Sequence, residues 1–212
     1  PCPRAIFFNC DTIKWPEVRR AIQYCSNRDA IGSIIWRPAS HGTKFPWAGY
    51  GWLERFEFDG PGDKYPLEYN PVKAVEILHD LGFMPGADGI RVDDEGNRMS
   101  YLTLAPNMKG KPEYEIAAHL VSELEKIGIE VELKGYGTWT PFYDTWTMGD
   151  ADMSSHWACG ATPDPVGFYG NFLSEYYKPI GEKIESPSWE STACRLQDPR
   201  LDKVVGQIQQ LD

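Results

Sequence analysis

The sequence contains no apolar run approaching the roughly 18 residues that a membrane-spanning helix requires. Its first residues, Pro1-Cys2-Pro3-Arg4, have neither a start Met nor the apolar core of a signal peptide. The chain runs straight into Ala5-Ile6-Phe7-Phe8, which has the composition of a strand, as expected of a segment taken from within a longer protein. Basic residues are in deficit. Against 31 Asp and Glu stand 21 Lys and Arg, a formal net charge of -10, so the summed field repels phosphate backbones and anionic lipid, and nucleic acid is not expected as a partner. The acids are spread along the chain, which reads as solubility. The five cysteines contain no C-x-x-C, and no His or Cys is spaced for a zinc finger, so no structural metal is expected. An odd count leaves at least one thiol unpaired; Cys2 and Cys10 could bridge in an exported protein, or the cysteines pack as small buried hydrophobes. There is no G-x-S-x-G, no internal repeat and no low-complexity segment.

What is present is enough for one domain. A chain of 212 residues with 42% hydrophobic and 25% charged side chains needs neither metal nor disulfide to fold. From Pro16, the positions Val18, Ala21, Ile22 and Cys25 fall at helical spacing, and Asp29-Ala30-Ile31 continues the pattern toward Gly32 as one amphipathic helix. Residues 37–66 carry Phe45, Trp47, Tyr50, Trp52, Phe56 and Phe58 among Gly and Pro with little periodicity. They read as a long irregular loop, and loops of that length are usually functional. Asn70-Pro71 gives an N-cap and a first-turn proline for a helix with Ala74, Val75, Leu78 and Leu81 on one face, stopped by Gly82.

Beyond it, Ile90-Arg91-Val92 and Met99 to Leu104 read as two strands joined by the turn Asp93-Asp94-Glu95-Gly96-Asn97. A calcium loop is rejected there: with Gly96 at loop position six, Leu102 falls where the bidentate glutamate belongs. A helix from Pro112 buries Ile116, Ala117, Leu120, Val121, Leu124 and Ile127 before Gly128. Then come a strand at Ile129 to Leu133, a helix around Phe142 to Met148, and a strand from Asp152 to Trp157. Strands alternating with helices predict an α/β sheet, and ligands of such sheets lie outside the carboxyl ends of strands. That directs attention to the Gly- and Pro-punctuated loop from Ala158 to Tyr169. Asp198-Pro199 then opens a helix from Arg200 to Leu211.

Several of these segments resemble one family in order. Ile6-Phe7-Phe8-Asn9, Val18-Arg19-Arg20-Ala21-Ile22 and Asn27-Arg28-Asp29-Ala30-Ile31 are similar to its strand ending in Asn, its V-R-x-A and its D-R-x-x-I. Tyr69-Asn70-Pro71-Val72-Lys73-Ala74 with Leu78 to Phe83 looks like its Y-D-P-x-K-A helix, and Leu124 to Val131 like its L-x-x-I-G-I-x-V. Gly149-Asp150-Ala151-Asp152-Met153, then Trp157 and Pro163-Asp164-Pro165, resemble its G-D-x-D-M…G-W…D-P. The chain is thus identified as a member of the family 5 extracellular solute-binding proteins, the class of dipeptide, oligopeptide and nickel binders.

The resemblance implies an α/β lobe of the periplasmic-binding-protein type (type II, cluster C), a mixed sheet with flanking helices. Residues 1–212 would form a single domain, the C-terminal lobe of a two-lobed clamshell. It implies a periplasmic or extracellular monomer, membrane-associated through a part outside this chain, that presents its closed, solute-loaded form to an ABC permease. It implies no catalysis and no cofactor. In peptide binders of the family an aspartate shortly after the loop Trp pairs with the peptide ammonium, whereas here that place falls near Gly160 or Ala161, with no carboxylate. Asp164 is the nearest substitute, although its match to D-P suggests a turn.

The chain also carries eight tryptophans, and indole faces stack on carbohydrate rings. An oligosaccharide is therefore preferred as the ligand, with an oligopeptide or dipeptide as the alternative. The candidate ligand-binding residues are Trp157, Cys159, Gly160, Asp164 and Phe168, opposite Trp36, Trp47 and Trp52. Trp15, Trp146 and Trp189 are assigned to surface or core packing. The remote alternative is a glycoside hydrolase, with Asp150 and Asp152 as the tempting pair, although nothing places a second acid across a cleft. His156 with Cys159 as base and nucleophile is weaker still. A sensor that reports to a receptor in place of a permease is indistinguishable at this level.

Overall fold

The computed structural model describes residues 3–35, 42–43, 45–47, 50–57, 68–158, 165–185 and 192–210. Strand β1 (Arg4–Phe8) leads into helix α1 (Pro16–Tyr24), which has Pro16 in its first turn and buries Val18, Ala21 and Ile22. The single amphipathic helix expected to run on toward Gly32 is in fact two. The Asn27 side chain accepts the Ala30 N–H at 3.0 Å and so caps a new helix, α2 (Arg28–Ile35). An Asx cap offers the backbone an alternative to continuing the first helix, and here it wins. Gly32 is then a buried residue inside α2, not a stop. Helix α3 (Pro71–Asp80) begins as the sequence indicates, with Asn70 Oδ1 accepting the Lys73 N–H at 3.0 Å.

A small antiparallel ribbon follows, β2 (Met84–Pro85) with β3 (Arg91–Val92). The segment after the acidic turn also meets β3, as the sequence indicates, through the Val92–Arg98 bridge and with Met99 N donating to Arg91 O at 2.8 Å. The turn itself forms: Asp93 Oδ1 accepts the N–H groups of Glu95 and Asn97 at 3.0 and 2.7 Å. The chain then leaves for the main sheet. Arg91, 4% exposed, fixes the ribbon by donating to the carbonyls of Ile127 (2.6 Å) and Phe83 (2.8 Å).

The main sheet has the order β1-β6-β4-β5, with β4 (Ser100–Ala105), β5 (Glu130–Gly135) and β6 (Met153–Trp157) mutually parallel and β1 antiparallel to β6. Helix α4 (Pro112–Lys126) connects β4 to β5, and α5 (Trp139–Met148) carries the chain from β5 back across β4 to β6. The two helices serve separate cores. Val18, Ile22, Leu78, Leu120, Leu124, Val131 and Met153 pack together on the α4 side. Phe7, Leu104, Phe142, Trp146 and Phe168 pack together on the other. Strand alternation accounts for the division: Ile6 and Phe8 of β1 face the first cluster while Ala5 and Phe7 face the second. Both faces are thus covered, which is why Met153 to His156 are buried without a polar-out alternation.

The rest of the chain wraps the second core. It comprises helix α6 (Pro165–Tyr169), short 3-10 turns at Gly170–Phe172, Ser174–Tyr176 and Thr192–Cys194, and helix α7 (Pro199–Gln209), capped by Asp198 accepting the Arg200 N–H at 2.9 Å. The loop foreseen up to Tyr169 therefore ends in a helical turn. Cys10 N donates to Cys194 O (2.8 Å) and Ile184 N to Thr147 O (3.1 Å), tying this segment to the sheet and to α5. Cys10, Cys25 and Cys194 are free thiols, consistent with their reading as packed small side chains; Cys2 and Cys159 lie outside the described residues.

Candidate functional site

The carboxyl ends of β4, β5 and β6 lie together at Ala105, Gly135 and Trp157. The chain leaves β4 for α4 on one face and leaves β5 for α5 on the other, the arrangement at which sheets of this class receive ligands. The two exits run close together. Tyr136 N donates to Ala105 O at 3.0 Å, and a Cβ on Gly135 would come within 2.7 Å of Asn107 O and 2.9 Å of the Tyr114 ring, so only glycine fits. Asn107 Oδ1 accepts the Tyr114 N–H at 3.1 Å and shapes the turn into α4.

Aromatic rings occupy this end of the sheet. Trp157, the last residue of β6, lies 5.2 Å from Trp139, the first residue of α5, with their planes 35° apart. One turn further along α5, Tyr143 stacks on Trp139 at 6.1 Å and 24°, the i, i+4 geometry of a helix face. Trp139, Tyr143 and Trp157 are each half-buried. Phe142 beneath them is buried and touches Trp139 at 5.0 Å, which braces the row against the core. Burial pushes the Tyr143 phenol up, against the opposing pull of the Lys183 ammonium 5.5 Å from its ring, so Tyr143 is a neutral hydroxyl at neutral pH. Half-buried aromatic rings and a neutral hydroxyl suit the apolar C–H face of a polar, uncharged ligand.

Of the residues singled out in the sequence, Trp157 stands in this row. Trp47 does not: it is 2% exposed, stacks on Phe45 at 4.9 Å and meets the edge of Tyr169 at 5.7 Å, a core role. Phe168, 7% exposed, packs in the same cluster. Trp52 is 59% exposed and rests edge-on against Tyr50 at 5.3 Å. Cys159, Gly160, Asp164 and Trp36 lie outside the described residues, as does Trp189. Trp15 is exposed and Trp146 buried, matching their assignment to surface and core. Sequence reasoning missed Trp139. The signal was available, since Trp139 follows the end of a parallel strand by the same rule that picked out Trp157.

Asp150 and Asp152, the tempting pair for glycoside hydrolysis, precede the amino end of β6, opposite the aromatic row. Asp152 accepts the Leu102 N–H at 2.7 Å through Oδ2, and its own N–H donates to Leu102 O at 3.0 Å, so it pins β6 to β4. His156 is 1% exposed, shares a 2.8 Å hydrogen bond between Nδ1 and Ser154 Oγ, and stacks on Phe7 at 4.2 Å. It is a packed core histidine. Among the described residues no cluster of His, Cys, Asp and Glu is arranged to hold a metal, and no helix is long and apolar enough to cross a membrane.

The mixed sheet with helices on both faces is a fold of the periplasmic-binding-protein type. Residues 2–179 match the bacterial extracellular solute-binding proteins, family 5 Middle, and the chain belongs to that family. The oligopeptide-binding protein AppA of Bacillus subtilis is 27% identical over 163 residues, which are 75% of this chain and 29% of that protein. In structure, AppA in complex with a nonapeptide gives a TM-score of 0.77 at 23% identity, over 96% of this chain and 38% of that one. A periplasmic oligopeptide-binding protein of Thermotoga maritima with bound mannohexaose gives 0.74 at 20% identity, again over 96% of this chain and 38% of that one. The chain thus spans about a third of the length of each.

Proposed function

We propose that this chain is one lobe of a two-lobed, periplasmic or extracellular solute-binding protein that captures an oligomeric solute for an ABC importer. We further propose that the ligand seats on the Trp139–Trp157 row. The observation that carries the reading is the half-buried indole pair, 5.2 Å apart at the carboxyl ends of parallel strands, where this sheet class receives ligands. Binding would draw a second lobe over the row, and hinge closure would be what a permease reads.

An oligosaccharide is the preferred ligand. Flat rings braced from behind stack well on sugar faces, and the sequence has no carboxylate at Gly160 or Ala161 to pair with a peptide ammonium. A desolvated ammonium without its partner would lose about 2–5 kcal/mol. The mannohexaose complex of the Thermotoga protein supports the sugar reading, since the same fold accepts one. The peptide alternative draws support from the similarity to AppA, and Asp164 would be its ammonium partner.

Titration calorimetry on the full-length protein decides between them. Mannohexaose should bind, and Trp139→Ala and Trp157→Ala should each weaken it by about tenfold or more, as expected for loss of one stacked ring. Micromolar or tighter binding of a free-amine peptide, abolished by N-acetylation, would establish the peptide reading in its place.

A further inference from the structure

We propose that Arg4 is a positioning residue for Trp157, and that the buried carboxylate of Glu113 holds Arg4 in place to do it. The inference rests in part on the reading of Trp157 as a ligand-facing ring. Arg4 and Trp157 are direct partners in the β1–β6 register, so their side chains leave the same face of the ladder as neighbours. The Arg4 guanidinium carbon lies 5.9 Å from the centre of the indole, within range of a cation–π contact. An arginine on an edge strand has a long flexible arm, and that contact alone would not fix it. The fixing comes from Arg4 Nε donating to Glu113 Oε1 at 2.8 Å.

Glu113 is a suitable anchor because it cannot turn away. It is 3% exposed at the second position of α4, and its other oxygen accepts from Asn107 Nδ2. Its backbone carbonyl accepts Ser155 Oγ from β6 at 2.7 Å. One carboxylate therefore links β1, the β4–α4 turn and α4 at the carboxyl edge of the sheet. A buried carboxylate placed here needs a cation, and the cation it has chosen lies against the indole. If the pair served only to tie β1 to α4, any cation would do and the ring would be indifferent to it. Seated against the ring, a planar guanidinium also sets the tilt at which Trp157 meets Trp139 and a ligand.

The test uses the indole N–H resonance of Trp157 in the nitrogen-15 NMR spectrum of the full-length protein, assigned by its loss in Trp157→Phe. Arg4→Met keeps the apolar arm and removes the guanidinium; it should shift the Trp157 resonance and leave those of the exposed Trp15 and Trp52 in place. Glu113→Gln should shift the same resonance, and Arg4→Lys should restore it only in part, since an ammonium is a point charge without the flat stacking face. A lowered melting temperature with an unmoved Trp157 resonance in Arg4→Met would overturn the proposal and leave a plain structural tie. Should Glu113→Gln fail to fold, Arg4→Met decides alone. In parallel, Arg4→Met should weaken mannohexaose binding by about threefold to tenfold. If the unaltered protein does not bind mannohexaose, the sugar reading fails while the resonance still decides the role of Arg4.

Discussion

Replacing Gly149 by Ala should be among the more damaging single-methyl additions in the molecule. Gly149 ends α5 at φ +83°, the left-handed conformation that costs an L-residue about 1–2 kcal/mol. Space is the second penalty. A Cβ there would lie 2.6 Å from Arg195 Cζ, 2.8 Å from Nη2 and 2.9 Å from Nε. Arg195 is 2% exposed and cannot easily yield, because its guanidinium donates to Thr147 O (2.8 Å), Glu182 O (3.1 Å) and Ala193 O (3.3 Å). Overpacking a fixed group costs about 1–3 kcal/mol, so the total is about 2–5 kcal/mol. Gly82→Ala is the control: φ is +87° and no atom lies within 4 Å, which leaves only the conformational share. Urea unfolding followed by tryptophan fluorescence should place Gly149→Ala about 1–3 kcal/mol below Gly82→Ala. In an Arg195→Met background the extra loss should vanish. Equal losses at the two glycines would refute the reasoning, and would mean that Arg195 moves aside at no cost.

The Tyr69 phenol donates to Glu123 Oε2 at 2.5 Å, and that bond, with burial, pushes Tyr69 up to about 12. A raised folded value means that the contribution is intact below the ordinary tyrosine value of about 10 and is lost as pH climbs through the folded value. The melting temperature should therefore exceed that of Tyr69→Phe at neutral pH, by the equivalent of about 0.5–1.5 kcal/mol, and the two should converge toward about pH 12. A gap that stays constant across that range would deny the bond. Burial likewise raises Cys10, Cys25 (to about 12) and Cys194. Mass spectrometry after iodoacetamide at about pH 8 should find these three thiols unmodified in the native protein and alkylated in urea, whereas native labelling of Cys25 at the rate of a free thiol would contradict its burial.

Much of the fold is legible because it is encoded locally. Asn70-Pro71 and Asp198-Pro199 each open a helix where the sequence places them, and both Asx side chains accept the expected backbone N–H. The β4-α4-β5-α5-β6 progression follows from periodicity alone. The failures sit where a local choice has close competitors. Asn27 could continue a helix or cap a new one, and apolar spacing through Asp29-Ala30-Ile31 does not register the interruption. The segment at Val92 pairs forward through its bridge to Arg98, as the turn predicts, but also back with β2, and the buried Arg91 ties it to the end of α4. No short-range signal announces a contact thirty-six residues away.

The candidate site is less legible than the fold for a reason visible in the residues that carry the family resemblance. Asn9 is fully buried, with its amide donating to the carbonyls of Gly149 and Ala151. Asn70 caps a helix, Gly149 ends one against Arg195, and Asp152 pins β6 to β4. All are occupied in holding the fold together, so motifs built from them identify the scaffold and are silent on any ligand. Trp139, Tyr143, Trp157 and Arg4 are drawn together by the return crossover of α5 and by the β1–β6 register, neither of which can be read until the strand order is known. One structural relative of this fold holds a nonapeptide and another mannohexaose, so the fold by itself does not fix the ligand.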